Sequence, residues 1–258
     1  SYSHPFKWHS VKHGIFANAD EESYHLEIPG YTMNLDREIV GSIDYIRRRL
    51  TPPGKAANIL LWSGDTSPGP DALGIAEKAG LLNMNGGDTY ISRRHPSLTA
   101  VGSFGIRTGG LLQVYAPITN ENIYTNLWRG PFYGYEEVIE TFEMTNRPRR
   151  LKPVDIYYHT YSASKVAGLN ALHKAFAWAE TQSLHPVFAS DYIHKVHDFY
   201  TLAIARDGDG WRVRGDGNLR TLRLPAAMRP DIDSAQAVAG FSQGSGGEYL
   251  HLANQAAW

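Results

Sequence analysis

Residues 58–89 read NILLWSGDTSPGPDALGIAEKAGLLNMNGGDT and predict a strand, a helix and a second strand in that order. The apolar runs at residues 59–62 and 81–84 have the length of short strands. Pro70 and Gly80 mark the two ends of the helix between them, because proline favours the first turn of a helix and glycine its end. A βαβ unit of this kind makes its two strands parallel neighbours in one sheet.

Two aspartates follow these strands. Asp65 and Asp88 each come just after the carboxyl end of a predicted strand, and α/β proteins place their chemistry at that end of the sheet. The alternative is that both aspartates cap helices or turns. The pattern therefore predicts a functional edge but leaves the role of each carboxylate open.

The composition excludes several classes of function. A net charge of −1 with 20% charged residues argues against a nucleic-acid surface. Cysteine is absent, so neither disulfides nor thiolate chemistry are available. No apolar run is long enough to span a membrane. Aromatic residues make up 12% of the chain, which is compatible with flat ligands such as sugar rings.

The alternation of strands and helices continues along the chain. Apolar runs at residues 111–115, 154–158 and 185–189 predict further strands separated by helical patterns, which indicates an α/β fold with a parallel sheet, open or closed into a barrel. From about residue 199, short strands alternate with DGDG and GDGN turns, which predict antiparallel hairpins. We therefore predict an α/β part over residues 1–198 and a β-rich part over residues 199–258.

A long segment without regular periodicity, residues 117–134, is rich in aromatic residues. Such loops are usually functional or disordered, and the aromatic content favours a function. Rings that stack on sugar faces must be exposed, whereas packing would bury them. We predict that Trp128 and Tyr133 line a substrate groove. The aromatic residues of the segment are Tyr124, Trp128, Phe132 and Tyr133.

Three residues form the predicted reactive group. His159 ends the apolar run at residues 154–158, and His4 and Asp88 lie in loops assigned to the same end of the sheet. A histidine held by a carboxylate can protonate a leaving group near neutral pH, as amide or ester hydrolysis requires. We predict a hydrogen bond between His159 and Asp88; a purely structural histidine is the alternative.

Four segments stand in the order and spacing of known motifs: Ser1-Tyr-Ser-His4, residues 62–70, residues 85–89 and Ile156-Tyr-Tyr-His159. Through them the chain resembles the polysaccharide deacetylases, carbohydrate esterase family four and its relatives, over roughly residues 1–198. The resemblance implies an incomplete, distorted (β/α) barrel that lacks its first strands. The β-rich remainder is expected to be part of a β-sandwich.

The resemblance also implies roles for single residues. It makes His4 a ligand of a divalent metal, usually zinc, His159 the general acid and Asp88 its partner. Asp65 stands where the family has an arginine, and we assign it to substrate binding. The first-motif aspartates and one metal histidine of the family would precede Ser1, so the metal site is incomplete. The chain by itself is expected to bind zinc weakly and to release no acetate.

The implied function is metal-dependent deacetylation of an N-acetylated exopolysaccharide rich in N-acetylgalactosamine, in the periplasm or outside the cell. The polysaccharide and other exopolysaccharide biosynthesis proteins are the implied partners. Two alternatives remain open. The chain could be a non-catalytic carbohydrate-binding or assembly module, or a barrel glycosidase with a carboxylate pair drawn from Asp65, Asp88 and Glu136. The glycosidase alternative leaves His159 without a role.

Overall fold

The computed structural model describes residues 29–258, except for residues 65, 148, 226–227 and 245–246. The chain forms two compact units. The first contains the residues up to Met144 together with Lys152–Leu184, and the second contains Thr145–Leu151 and His185–Trp258. The sequence predicted the boundary after residue 198, so the structure moves it towards the amino terminus.

The first element of this unit among the described residues is a continuous helix. Its start is fixed by Asn34, whose Oδ1 accepts a hydrogen bond from the backbone N–H of Arg37 at 2.9 Å. The first turn, Arg37–Gly41, is a π-helix, and α1, Ser42–Arg49, follows it directly. Ile39 and Ile43 are buried and belong to the same apolar cluster as the helix that follows in the chain.

The predicted βαβ unit is confirmed. β1, Ile59–Leu61, pairs in parallel with β2, Leu82–Met84, and α2, Pro70–Lys78, connects them. Trp62, directly after β1, is fully buried, and its Nε1–H donates a hydrogen bond to Oδ1 of Asn83 at 3.0 Å. The carboxyl end of the unit is therefore rigidly packed.

A hairpin extends this layer. β3, Gly105–Thr108, pairs antiparallel with β4, Leu111–Val114, which confirms the strand predicted at residues 111–115. β4 runs in the same direction as β2, since the N–H of Asn85 donates to the carbonyl of Val114 and the N–H of Thr119 donates to that of Thr89. The carboxyl ends of β1, β2 and β4 therefore lie at one edge.

Short helices complete the first unit around a second apolar cluster. This cluster contains Ile118, Tyr124, Tyr135, Val138, Phe142, Ala171, Leu172 and Ala175. The helices are α3, Glu121–Tyr124; a 3₁₀ turn, Phe132–Glu137; α4, Val138–Met144; a 3₁₀ turn, Thr160–Ser164; and α5, Val166–Glu180. A further 3₁₀ turn, Leu98–Ala100, precedes β3.

One sequence prediction for this region was wrong in detail. Residues 154–158 pair with no strand among the described residues, although Val154 and Ile156 do pack against the second apolar cluster. On α5 the buried face consists of Gly168, Ala171, Leu172 and Ala175, whereas the larger apolar side chains of Val166 and Phe176 are exposed. Small residues at this face let α5 approach its neighbours: a Cβ on Gly168 would lie 2.5 Å from the carbonyl oxygen of Ser162.

The second unit contains α6, Ala189–Thr201, and two three-stranded antiparallel sheets. The sequence predicted antiparallel strands in this region. One sheet has the order β10-β6-β5, from β5, Ala203–Asp207, β6, Gly210–Arg214, and β10, Ala256–Ala257. The other has the order β7-β9-β8, from β7, Thr221–Leu224, β8, Val238–Gly244, and β9, Gly247–Leu252.

α6 belongs to this unit because of Asp198. Its buried carboxylate accepts hydrogen bonds from the backbone N–H groups of Asp216, Asn218 and Leu219, at 2.7 to 2.8 Å. Burial alone would raise the pKa of Asp198, but these three amides hold it below its usual value. The strand predicted at residues 185–189 was wrong, since Ala189 begins α6 and residues 185–188 form no strand.

The fold is thus mixed α/β, as predicted, with strands grouped in sheets of two or three within the described ranges. None of these sheets closes into a barrel across the residues that the structure describes. In that part of the chain, no helix is long and apolar enough to cross a membrane.

Candidate functional site

Strained backbone occurs after β1 and β2 and in the turn after α3. In the described part of the chain, six non-glycine residues have positive φ. Asn85 directly follows β2, and Thr66 lies in the loop after β1. Asn126, Leu127 and Trp128 form a turn just after α3. Each such residue costs roughly 1–3 kcal/mol, and strain of this kind clusters at functional sites.

His159 is held by Glu121. Its Nδ1 is 2.9 Å from Oε1 of Glu121, and its backbone N–H donates to the same oxygen at 3.0 Å. The hydroxyl of Ser162 donates a third hydrogen bond to that oxygen at 3.0 Å. Glu121 is only 1% exposed, whereas the side chain of His159 is 38% exposed. A buried carboxylate therefore orients an accessible imidazole.

This contact fixes the state of the imidazole. A carboxylate only accepts hydrogen bonds, so Nδ1 of His159 must carry a proton. In the neutral ring the lone pair is then at Nε2, the nitrogen that Glu121 does not contact. An imidazole held in this way can take a proton at Nε2, and the adjacent carboxylate stabilises the resulting cation.

Aromatic rings extend from His159 along the surface. Tyr161 stacks on the imidazole, with ring centroids 4.9 Å apart and planes 8° apart, and its hydroxyl donates to Oδ1 of Asn122 at 3.2 Å. Trp128 contacts Tyr161 edge to face at 5.1 Å, and Phe132 lies 4.9 Å from Trp128. We call His159, Tyr161, Trp128 and Phe132 the aromatic wall.

A left-handed turn delivers Trp128 to this wall. Asn126, Leu127 and Trp128 have consecutive φ values of 48°, 55° and 62°. L-residues visit this region singly, not in runs. The N–H of Trp128 donates to Oγ1 of Thr125 at 3.1 Å, and the N–H of Leu127 donates to the carbonyl of Asn122 at 2.7 Å. These hydrogen bonds hold the strained turn in place.

The predicted partner of His159 was wrong. Asp88 is exposed, and its Oδ1 accepts a hydrogen bond from the hydroxyl of Thr119 at 3.3 Å. Within the described ranges, neither a hydrogen bond nor an ion pair joins Asp88 to His159, and Glu121 takes Nδ1 instead. The sequence placed Glu121 in an irregular loop, although it directly follows Asn120, which caps α3. That cap was the one local signal for Glu121.

The other predicted site residues have different outcomes. Tyr124 is buried in the core, where it packs against Tyr90 and Tyr135 and cannot bind a ligand. Trp128 is half-buried in the aromatic wall, and Tyr133 is 59% exposed. Asp65 and His4 lie outside the described residues, and their roles stay predictions.

A metal site was tested on the residues present. In the part of the chain that the structure describes, no three His, Asp or Glu side chains are grouped so that they could hold a metal ion. His4, the predicted ligand, falls outside that part. The predicted zinc site therefore stays a prediction, and we route no chemical step through a metal.

An inner polar group lies below His159. This group contains Tyr157, Glu121, Asp155, Asn120 and Asn85. Burial raises the pKa of Tyr157, and the nearby charges of Glu121 and Asp155 raise it further, whereas the two carboxamides lower it. Oε2 of Glu121 and Oδ2 of Asp155 are both buried without a hydrogen-bond partner. Burial raises the pKa of the Asp155 carboxyl to about 6. The site thus contains two carboxylates that retain unused acceptor capacity.

Asp155 makes stability depend on pH. Its pKa is about 6 in the folded chain and 3.8 ordinarily, so its contribution to stability is complete below about pH 4 and is lost as the pH rises through 6. We expect the free energy of unfolding of Asp155→Asn to equal that of wild type at pH 4. At pH 7.5 it should exceed that of wild type by about 2–3 kcal/mol. Urea unfolding at both pH values measures this difference.

Asp209→Asn, at an exposed position, is the control and should match wild type at both pH values. An equal difference between Asp155→Asn and wild type at pH 4 and pH 7.5 would show that Asp155 titrates normally.

Comparison with known proteins gave no guide to the role of this site: no family model, curated protein or solved structure matches the chain. The function has to be argued from the residues themselves.

Proposed function

We propose that this site hydrolyses the acetyl amide groups of an N-acetylated amino-sugar polysaccharide. The observation that supports the proposal is the pairing of buried Glu121 with exposed His159, next to the aromatic wall. Hydrolysis of an amide needs a group that moves a proton to the leaving nitrogen, and an oriented imidazole is the usual solution near neutral pH.

The imidazole of His159 can serve in both halves of the reaction. Nε2 takes a proton from water as the water oxygen attacks the acetyl carbonyl carbon. The imidazolium then returns that proton to the amide nitrogen as the carbon–nitrogen bond breaks, which yields acetic acid and the free amine. Glu121 stabilises the intermediate cation through Nδ1. General acid–base catalysis of this kind contributes about 10²–10⁴-fold in rate.

This role changes the sequence-based expectation of inactivity. That expectation rested on the incomplete metal site and on the absence of the family's first-motif aspartates, one of which the resemblance makes the base. A histidine held by a carboxylate can itself act first as base and then as acid, so the Glu121–His159 pair supplies both functions. We therefore expect slow hydrolysis even without those aspartates.

The aromatic wall supplies the surface for the sugar. Aromatic rings bind ligands through their flat faces and contribute large apolar area at small entropic cost. Trp128 is half-buried, so part of its indole is accessible, and Tyr133 is mostly exposed. A polymer that lies along these rings would present its N-acetyl groups to His159.

The test is acetate release from an N-acetylated galactosamine oligomer, followed by NMR with and without added zinc, together with binding followed by tryptophan fluorescence. We expect release by the wild-type chain. Trp128→Ala should raise KM about tenfold, because one ring–sugar contact contributes roughly 1 kcal/mol or more. Tyr45→Ala, an exposed ring on α1, is the matched control and should leave KM unchanged.

The same experiment separates the leading alternative. The exposed ring of Tyr133 would suit a carbohydrate-binding or assembly module equally well. Binding that depends on Trp128, without acetate release under any condition, would favour such a module. Absence of both binding and release would overturn the carbohydrate assignment altogether.

A further inference from the structure

Tyr157 lies beside His159 in the inner polar group. The two residues are separated by one position in the extended segment, and alternate residues of an extended chain point to the same side. Their ring centroids are 6.1 Å apart. The backbone carbonyl of Tyr157 accepts a hydrogen bond from the hydroxyl of Tyr135 at 2.9 Å, which fixes this part of the chain. Tyr157 is half-buried, so a ligand can reach it.

The carboxamides of Asn120 and Asn85 lie near the hydroxyl of Tyr157. Oδ1 of Asn120 accepts the N–H of Asn122 at 2.9 Å, which leaves its amide nitrogen for other partners. Nδ2 of Asn85 donates one hydrogen to the carbonyl of Trp62 at 2.9 Å, which leaves its second hydrogen. Burial raises the pKa of Tyr157, while hydrogen bonding from Asn120 and Asn85 opposes that rise. The phenol therefore keeps its proton near neutral pH.

Neither neighbouring carboxylate accepts the phenolic proton of Tyr157 among the described residues. The nearby candidates are the carboxylates of Glu121 and Asp155, but Oε2 of Glu121 and Oδ2 of Asp155 have no hydrogen-bond partner. Oε1 of Glu121 already accepts three hydrogen bonds. A half-buried hydroxyl that is not bound to a carboxylate, 6.1 Å in ring-centroid distance from an oriented imidazole, is placed where a substrate oxygen can bind.

We propose that Tyr157 is a further catalytic residue, whose hydroxyl donates a hydrogen bond to the oxyanion formed from the acetyl carbonyl. The inference rests on the proposed hydrolysis. When water attacks the carbonyl carbon, the π electron pair moves to the oxygen. The Tyr157 O–H stabilises that charge without transferring its proton, and the pair returns to re-form the carbonyl as the amine leaves. Loss of one such donor lowers kcat about 10²–10³-fold.

Tyr157→Phe tests the inference because it removes only the hydroxyl. We expect kcat for acetate release to fall about 10²–10³-fold with KM within twofold of wild type, since the interaction forms only in the transition state. Tyr158→Phe, at the exposed neighbouring position, is the control and should keep both constants. A phosphonamidate analogue of the tetrahedral intermediate should bind Tyr157→Phe at least tenfold more weakly, while the N-acetylated oligomer binds equally.

The outcomes are distinguishable. Unchanged kcat in Tyr157→Phe, with an active wild type, overturns the role of Tyr157 and leaves the proposed function standing. A raised KM and a lowered melting temperature at unchanged kcat would show a structural role only, which also overturns the inference. If the wild-type chain releases no acetate, the proposed function fails, and the inference fails with it.

Discussion

Glu121→Gln is expected to lower kcat for acetate release by about 10³–10⁴-fold while the chain stays folded. An amide at this position can present its NH₂ group to Nδ1 and so favour the wrong tautomer of His159, and it no longer stabilises the imidazolium. The equivalent substitution in a carboxylate–histidine–serine triad costs about 10⁴-fold. The measurement is kcat as a function of pH, together with the imidazole NMR signals of His159.

The controls decide which carboxylate acts on His159. Asp88→Asn should leave kcat within a few-fold of wild type, because Asp88 contacts Thr119 and not the imidazole. His159→Ala should match Glu121→Gln, since residues that act as a unit are not additive. A larger loss in Asp88→Asn than in Glu121→Gln would restore the partner that the sequence predicted.

Gly134→Ala is expected to destabilise the chain by about 4 kcal/mol, at the upper end of the range for overpacked positions. A Cβ on Gly134 would overlap the backbone carbonyl of Tyr124, the last residue of α3. Backbone atoms cannot move aside as the end of a flexible side chain can. Because α3 begins at Glu121, the displacement should also disturb the contact with His159.

Urea unfolding and acetate release measure the two effects. Gly74→Ala is the matched control. A methyl group there would lie at an ordinary contact distance of 3.5 Å from Cδ1 of Leu111. Alanine is also about 1 kcal/mol more favourable than glycine inside a helix such as α2. Stability within 1 kcal/mol of wild type in Gly134→Ala would show that α3 is not packed as closely as described.

At the site, His159 could be predicted from the sequence, whereas its partner Glu121 could not. His159 was identifiable because it ends an apolar run, which is a local pattern. Glu121 was not, because its importance comes from burial and from a contact with a residue 38 positions away. Asp88 was chosen as the partner because it follows β2, but position at the end of a strand does not determine which side chain reaches the imidazole.

The sequence by itself determined the βαβ unit and the β-rich tail. Pro70 and Gly80 set the limits of α2 through backbone conformation, and the glycine-rich turns set the hairpin of β5 and β6. These signals act within a few residues, so they can be recognised without knowledge of distant contacts.

Only the tertiary structure decided the buried face of α5, the unit that contains α6 and the partner of His159. On α5 the face with Gly168, Ala171 and Ala175 is buried although Val166 and Phe176 are larger and apolar, because Gly168 lies close to the backbone of Ser162. α6 joined the second unit through the amides that Asp198 binds. Each of these features depends on which residues, far apart in the sequence, become buried against one another. Such contacts are a property of the packed chain rather than of any local segment.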